Sequence, residues 1–280
     1  MDSQAHKMVI TPAGAVIEVE PGRRAQRWWA MARRIGLLVN WNLRKRIFDK
    51  STGALFLIVE PLLQALLFFY IVYVVFGVRG DDVSYVSIFT LVTLWRGHML
   101  ITTSAPYYLS GQGAILQQTR YPPAALIAEG IGTDTMLFVM LILVVVSILI
   151  VSSNGPYVTW LALPVVLAVN LLFSSACAVI IACAGVYVRE LGLVVNFIVS
   201  LWMYASPVVY GMERISEPFR TIYLWTNPMA HVMPAYRQCL LAGEWPAWRP
   251  LLVIVVASIG LLALGSAWVS RLRGRIYRYL

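Results

Sequence analysis

Residues 124–151 read AALIAEGIGTDTMLFVMLILVVVSILIV, an apolar run interrupted by only two acidic residues, Glu129 and Asp134. A helix of about 20 apolar residues crosses the roughly 30 Å hydrocarbon core of a bilayer. Backbone amides in lipid must be satisfied within their own segment, so the run predicts a spanning helix. Five further apolar stretches cover about residues 54–77, 83–108, 157–187, 191–210 and 249–269. The sequence therefore predicts an all-α integral membrane protein with six transmembrane helices.

The overall composition agrees with this class of protein. Hydrophobic residues make up 60% of the 280 residues and charged residues only 12%, whereas soluble domains carry about 25% charged residues. The net charge of +9 would suggest nucleic-acid binding in a soluble protein, but here the basic residues cluster outside the spans. We therefore expect contacts with anionic membrane lipids and no nucleic-acid partner.

The distribution of basic residues predicts the orientation in the membrane. Ten of the 22 lysines and arginines precede the first span, and four follow the last one. Positive residues collect on the cytoplasmic side of membrane helices, so both termini are predicted to be cytoplasmic. The first fifty residues have no apolar core followed by a small-residue cleavage site, so no cleavable signal peptide is expected.

Three terminal segments lie outside the predicted 51–270 transmembrane domain. Residues 1–22 contain glycine and proline breakers and predict a flexible tail. Residues 23–50 place Trp28, Trp29 and later apolar residues at helical spacing among arginines, which is typical of a helix lying in the cytoplasmic interface. The alternative is a solvated helix packed on a soluble partner. Residues 271–280 predict a basic cytoplasmic C-terminus.

Residues 211–248, between the fifth and sixth predicted spans, form an unusual segment. Four prolines interrupt it, so it cannot span the membrane as one helix. Its apolar and aromatic content is too high for a solvated loop. Non-helical backbone at membrane depth is tolerated where protein buries it. We therefore predict a re-entrant pair of short helices in the outer leaflet, with a small extracytoplasmic cap as the alternative.

Several kinds of chemistry have no motif in this sequence. It contains no G-x-x-x-x-G-K-[ST] loop, so the chain is not expected to hydrolyse ATP by itself. His6, His98 and His231 are far apart and no H-E-x-x-H motif occurs, so no metal site is expected. The acidic doublet Asp81-Asp82 lies in a short predicted outer loop rather than in a magnesium-binding cluster. We expect a transport subunit without catalytic residues.

Two groups of residues inside the spans are candidates for function. Ionisable side chains in a bilayer are costly, and four of them occur: Glu60, Arg96, Glu129 and Asp134. Arg96 is expected to pair with one of the three carboxylates and so fix the helix register; a proton relay is the alternative. The second group comprises aromatic residues that would form lipid-facing belts or line a channel for sugar rings: Phe69, Tyr70, Tyr73, Trp202, Tyr204 and Tyr210.

These features, in this order, resemble the permease subunits of type-2 ABC exporters, specifically the polysaccharide-export branch that handles O-antigen, capsule, teichoic acid or galactan. The resemblance covers residues 33–273. Its motifs are Glu60-Pro61, GQGAILQQTRYPP at 111–123, VYVRELGLVVNF at 186–197 with Ser206-Pro207-Val208, and Asn227-Pro228-Met229 with Tyr236-Arg237. Two features depart from the pattern, namely Trp95-Arg96-Gly97-His98 in the second span and a longer N-terminal extension.

The resemblance implies a mechanism for transport of a lipid-linked glycan across the bacterial inner (plasma) membrane. Two copies of the chain would form the channel, and two separate ABC ATPase subunits would bind ATP and magnesium, leaving this chain without a cofactor. Within a coupling segment at 109–123, the ATPase contacts would be Gly111, Gln112, Gly113, Ala114, Ile115 and Leu116. The interfacial helix would gate substrate access through Trp28, Trp29, Arg33, Arg34, Arg44, Lys45 and Arg46. A lipid or drug exporter of the same architecture, or a proton-coupled carrier, is the alternative.

Overall fold

A computed structural model describes residues 9–11, 14–16, 22–48, 53–75, 77, 84–112, 121–152, 155–188, 190–212 and 215–272. Its helices are α1 (Gly22–Phe48), α2 (Gly53–Phe69), α3 (Tyr85–Ser104), α4 (Tyr107–Ser110), α5 (Pro123–Val151), α6 (Leu163–Gly185), α7 (Leu191–Tyr204), α8 (Glu217–Thr226), α9 (Met229–Arg237) and α10 (Trp248–Leu272). Helices α2 and α9 continue into π-helical turns at Tyr70–Val75 and Gln238–Ala242, and a 3-10 turn at Val158–Ala162 precedes α6.

The described fold is α-helical apart from one short hairpin near the N-terminus, and the flexible tail predicted for residues 1–22 stays a prediction. Strands β1 (Val9–Thr11) and β2 (Gly14–Val16) form a short antiparallel hairpin, with Val9 opposite Val16. The physical reason is local, because Val, Ile and Thr side chains favour extended backbone. The rest of the described fold is helices and their connections.

Among the residues that the structure describes, four helical segments are long and apolar enough to cross a bilayer, judged by length and composition: Ile58–Val75, Pro123–Val151, Val158–Gly185 and Trp248–Arg271. The predicted second and fifth spans correspond to α3 and α7. Helix α7 is apolar but has only 14 residues, fewer than the roughly 20 that a perpendicular span needs. Helix α3 has 20 residues but includes several polar side chains. The chain is therefore a helical membrane protein, and the count of six spans stays a prediction.

Helix α3 lies at the centre of the bundle, where it packs against α2, α5, α6 and α7. Every residue from Ser87 to His98 is buried, so the polar side chains of this helix face protein. The packing is close, because a Cβ atom at Gly97 would lie 2.3 Å from the ring of Phe138. Burial by neighbouring helices explains how a helix with Thr90, Arg96 and His98 fits into an apolar bundle.

Helices α6 and α10 pack extensively and run parallel, because Phe173 lines one cavity with Val253 and, further along both helices, Val179 faces Gly265. A Cβ atom at Gly265 would lie 2.7 Å from Val179 Cγ1, so glycine allows the two helices to approach closely. At the C-terminal end of α6, Gly185 lies against the backbone of Pro106, just before α4. Because the two helices run in the same direction, α10 begins at the end of the bundle opposite α4.

The segment between α7 and α10 contains two short helices of different character. Six residues of helix α9 are buried, and the helix packs against α3, α6 and α10. Helix α8 has no buried residue among those described. The segment is thus anchored through α9, while α8 lies on the surface near the start of α10.

Candidate coupling and gating site

Helix α1 packs along α5, and two polar side chains of α1, one turn apart, bind acidic residues of α5. Asn42 Nδ2 donates a hydrogen bond to Glu129 Oε1, and Arg46 Nη1 donates to Asp134 Oδ1. Asp134 is fully buried, whereas the side chain of Arg46 is 44% exposed. Gly132 lies between the two acids and faces Val39 of α1. The absence of a side chain at Gly132 allows α1 to come close enough for both contacts.

The same two acids also bind residues next to the predicted coupling segment. Tyr108 in α4 donates its hydroxyl hydrogen to Asp134 Oδ2 at 2.6 Å, and Ser104 of α3 lies close to the same carboxyl group. Gln112, just after α4, lies close to the carboxyl group of Glu129. The group that joins α1 to α5 and to the start of the coupling segment is called the latch cluster: Asn42, Arg46, Tyr108, Gln112, Glu129 and Asp134.

Arg96 lies apart from the latch cluster. Its Nη2 atom is 2.6 Å from Glu60 Oε2, with 10% of the arginine side chain and 58% of the glutamate side chain exposed. Of the three carboxylates named as possible partners, the structure brings Glu60 to Arg96, and it brings Glu129 and Asp134 to α1 instead. The sequence analysis did not propose Asn42 or Arg46 as their partners, because these residues are 87 and 88 positions away.

Substitution of Glu60 by alanine is expected to destabilise the protein by about 1–2 kcal/mol, because it leaves the buried Arg96 guanidinium without a counter-charge, while solvent already screens the 58% exposed Glu60 carboxylate. The measurement is the melting temperature in detergent. The double variant Glu60→Ala/Arg96→Met is expected to recover most of the loss, since it removes both charges. If the double variant instead loses as much stability as Glu60→Ala and Arg96→Met lose together, the pair carries no coupling energy.

The predicted gating residues on α1 form an exposed basic surface. Arg33, Arg34, Arg44 and Lys45 are exposed, and Trp29 is 78% exposed. Lys45 Nζ lies 5.6 Å from the ring centroid of Trp41, a cation–π distance. Arg46 belongs to the latch cluster. Trp28 lies in α1, and its side chain is outside the described part of the structure.

The predicted ATPase contacts begin in a turn that follows α4. Gly111 N donates to Tyr107 O at 3.0 Å, and Gln112 N donates to Leu109 O at 3.2 Å. The remaining predicted contacts, Gly113, Ala114, Ile115 and Leu116, lie outside the described residues.

Tyr121, where the description resumes before α5, lies near charged groups of both α1 and α5. Burial raises the pKa of the Tyr121 hydroxyl, the charge of Glu129 raises it further, and Arg34 acts in the opposite direction. The end of the predicted coupling segment is therefore close to α1 as well.

The six candidate channel aromatics fall into two environments. Phe69 stacks on Tyr73 with 5.0 Å between ring centroids, while Tyr70 and Tyr204 are more than half exposed. Tyr210 donates its hydroxyl hydrogen to the carbonyl of Tyr204 at 3.3 Å. Trp202 instead is partly buried and lies edge-on to His98, Trp95 and Phe173. The set therefore does not form one continuous wall.

A buried polar chain crosses the bundle beside Trp202. His98 Nδ1 is 2.9 Å from Ser174 Oγ, which donates to the Asn170 carbonyl at 2.7 Å. Asn170 Nδ2 in turn donates to the Tyr236 hydroxyl at 3.2 Å. These bonds hold α9 against α6 and α3. The sequence analysis noted His98 but missed Asn170, although a lone asparagine in an apolar span is itself a signal of a buried polar partner.

Comparison with known proteins places these features in a family. The ABC-2 type transporter family matches residues 33–241, a range that includes the latch cluster, the Glu60–Arg96 pair and the buried polar chain. The O-antigen export system permease protein RfbA of Klebsiella pneumoniae is 22% identical over 245 residues, covering 87% of this chain and 93% of the relative. The protein of the same name from Myxococcus xanthus is 26% identical over 240 residues, covering 84% and 90%. This chain is a multi-pass membrane protein that belongs to the ABC-2 type transporter family.

Proposed function

We propose that this chain is the permease subunit of an ATP-driven exporter that moves a lipid-linked polysaccharide across the bacterial inner membrane. The substrate class rests on the relatives, which are named O-antigen export permeases and align with most of this chain. The structural observation that carries the proposal is the latch cluster, which joins the basic helix α1 to the start of the coupling segment. An exporter driven from outside its membrane domain needs such a connection.

The proposed topology has six spans with both termini in the cytoplasm, and α3 and α7 serve as the second and fifth spans. The burial of α3 between four neighbouring helices supports this assignment. The α8–α9 segment is proposed to re-enter the outer leaflet, supported by the burial of α9 inside the bundle. This topology places α1, α4 and the coupling segment on the cytoplasmic side.

Membership of the ABC-2 type transporter family implies an ABC ATPase subunit as a partner. We propose an assembly of two permease copies with two ATPases, in which the ATPases hold the ATP and magnesium. Closure of the ATPases would press on residues 111–116, and Tyr108 and Gln112 would transmit the displacement to Asp134 and Glu129. Because Arg46 and Asn42 are bonded to these acids, α1 would move with them.

The proposed gate is the exposed basic surface of α1. Arg33, Arg34, Arg44 and Lys45 would face the inner leaflet, where guanidinium and ammonium groups can bind the pyrophosphate of a lipid-linked glycan. Exposed aromatic rings such as Tyr70, just after α2, and Tyr204, at the end of α7, would contact sugar rings during passage. The Glu60–Arg96 pair is proposed to fix the packing of α2 on α3.

Copurification with the ATPase encoded nearest to this protein tests the proposal. We expect a stable complex of two permeases and two ATPases, whose ATP turnover responds to the permease. Replacing Leu116 with aspartate is expected to lower the turnover about tenfold or dissociate the complex, since it puts a charge into the predicted ATPase contact. The matched control is Ser216→Asp, which adds the same charge just before α8 and should have no effect. The absence of a complex with any ATPase would overturn the proposal.

A further inference from the structure

A cavity of about 450 Å³ lies between α8, the start of α9 and the first half of α10. This volume is within the range of about 300–1,000 Å³ that is common for small-molecule sites. Most of its lining is apolar, with Phe173, Leu224, Val253 and Ala257 among the contributing residues. It is separate from the latch cluster, because α10 begins at the opposite end of the bundle from α4.

The cavity is lined by successive turns of α10. Arg249, Val253 and Ala257 line it at intervals of four residues, so they form one stripe on the helix, about 12 Å long at 1.5 Å per residue. Trp225, which also lines the cavity, is 83% exposed, and exposed tryptophans are typical of the membrane–water boundary. The cavity therefore extends from this boundary along the outer face of α10, where Val253 is 64% exposed, which is the direction of an acyl chain in a bilayer.

One end of the cavity carries a positive charge without an acidic partner. In the ion pairs formed within the described ranges, Arg46, Arg96 and Arg220 have carboxylate partners, but Arg249 has none. The other ionisable group in the lining, His231, has its Nε2 atom 3.0 Å from the Leu224 carbonyl, so that atom is already engaged. The guanidinium of Arg249 is exposed and can bind an external anion through two parallel hydrogen bonds.

We propose that this cavity binds an anionic phospholipid. The phosphate would lie against Arg249, and one acyl chain would follow Val253 and Ala257 towards Phe173. A lipid fits both features, because it joins a phosphate at the membrane boundary to an apolar chain. In the proposed topology the lipid comes from the outer leaflet. The proposal stands without the polysaccharide-export function, since it uses only the shape, lining and charge of the cavity.

The test is lipid titration of the full-length, detergent-purified protein, followed by native mass spectrometry. The probes are phosphatidylglycerol and phosphatidylcholine with identical acyl chains. We expect phosphatidylglycerol to bind about tenfold more tightly, a difference of about 1.4 kcal/mol. Arg249→Gln should abolish the preference, and Arg249→Lys should retain part of it. Ala257→Phe, which fills the cavity from its surface side, should weaken the binding of both lipids about tenfold. Arg220→Gln is the matched control and should bind both lipids as the wild type does.

Three results would overturn the proposal. The first is equal binding of the two lipids by the wild type, which would mean that Arg249 does not distinguish their headgroups. The second is competition by inorganic phosphate at the lipid concentration, which would mean that the site takes a free anion. The third is efficient cross-linking of Ala257→Cys between two copies in native membranes, which would place a second copy of the chain over the cavity.

Discussion

Replacement of Arg46 by glutamine is expected to lower glycan export about tenfold, while the protein still inserts into the membrane and binds its ATPase. Arg46 is the only cation of the described residues that pairs with the buried carboxylate of Asp134. Removing one partner of a fully buried pair costs about 3–5 kcal/mol. Because Arg46 is 44% exposed, solvent screens part of this interaction, and we expect a loss of roughly 1–2 kcal/mol in the latch. A loss of this size corresponds to about a tenfold change.

The measurement is export of the glycan in cells together with ATP turnover of the purified complex. In the Arg46→Gln variant we expect turnover to continue while export falls, since the motion no longer reaches α1. The double variant Arg46→Gln/Asp134→Asn should be no worse than either single variant, because residues in one ion pair are not additive. Arg220→Gln, which removes an exposed arginine from α8, is the control. Unchanged export in Arg46→Gln would show that the latch cluster transmits nothing.

Substitution of Gly185 by alanine is expected to destabilise the protein by about 2 kcal/mol or more and to impair coupling to the ATPase. The added Cβ atom would lie 2.5 Å from the carbonyl oxygen of Pro106 and 2.8 Å from its Cα atom. Both neighbours are backbone atoms, so no side-chain rotation relieves the clash, and α4 must move away from α6. Overpacking of this kind typically costs about 1–3 kcal/mol. In a helix without this contact, alanine would be more stable than glycine by about 1 kcal/mol. A net loss of stability would therefore be due to the clash with Pro106.

The control for this substitution is Gly260→Ala in α10, where the added Cβ atom would meet nothing within 4 Å. We expect this variant to melt at the wild-type temperature or slightly above it. The two variants should be compared by thermal melting in detergent and by ATP turnover in complex. Because α4 carries Tyr108, displacement of α4 should also weaken the latch cluster. Identical melting of the two variants would contradict the close contact between α4 and α6.

Hydropathy along the chain was sufficient to predict the class of protein and most element positions. The run predicted at 124–151 is helix α5, which covers Pro123–Val151, and the stretch predicted at 249–269 lies within α10, Trp248–Leu272. These predictions succeed because the free energy of transferring a segment into lipid is roughly the sum of the contributions of its residues. The motifs at Glu60-Pro61 and after Gly111 likewise indicated the family that the comparison then matched.

The tertiary structure decided which buried groups meet. From the sequence, Arg96 could pair with any of three carboxylates. In the structure it pairs with Glu60, because α2 packs on α3. Glu129 and Asp134 pair instead with Asn42 and Arg46, because α1 lies along α5 at the close approach that Gly132 permits. The burial of α3, which its mixed polarity does not predict, likewise depends on four neighbouring helices. Such pairings follow from how helix surfaces fit together over distances of many residues along the chain, and local composition does not specify that fit.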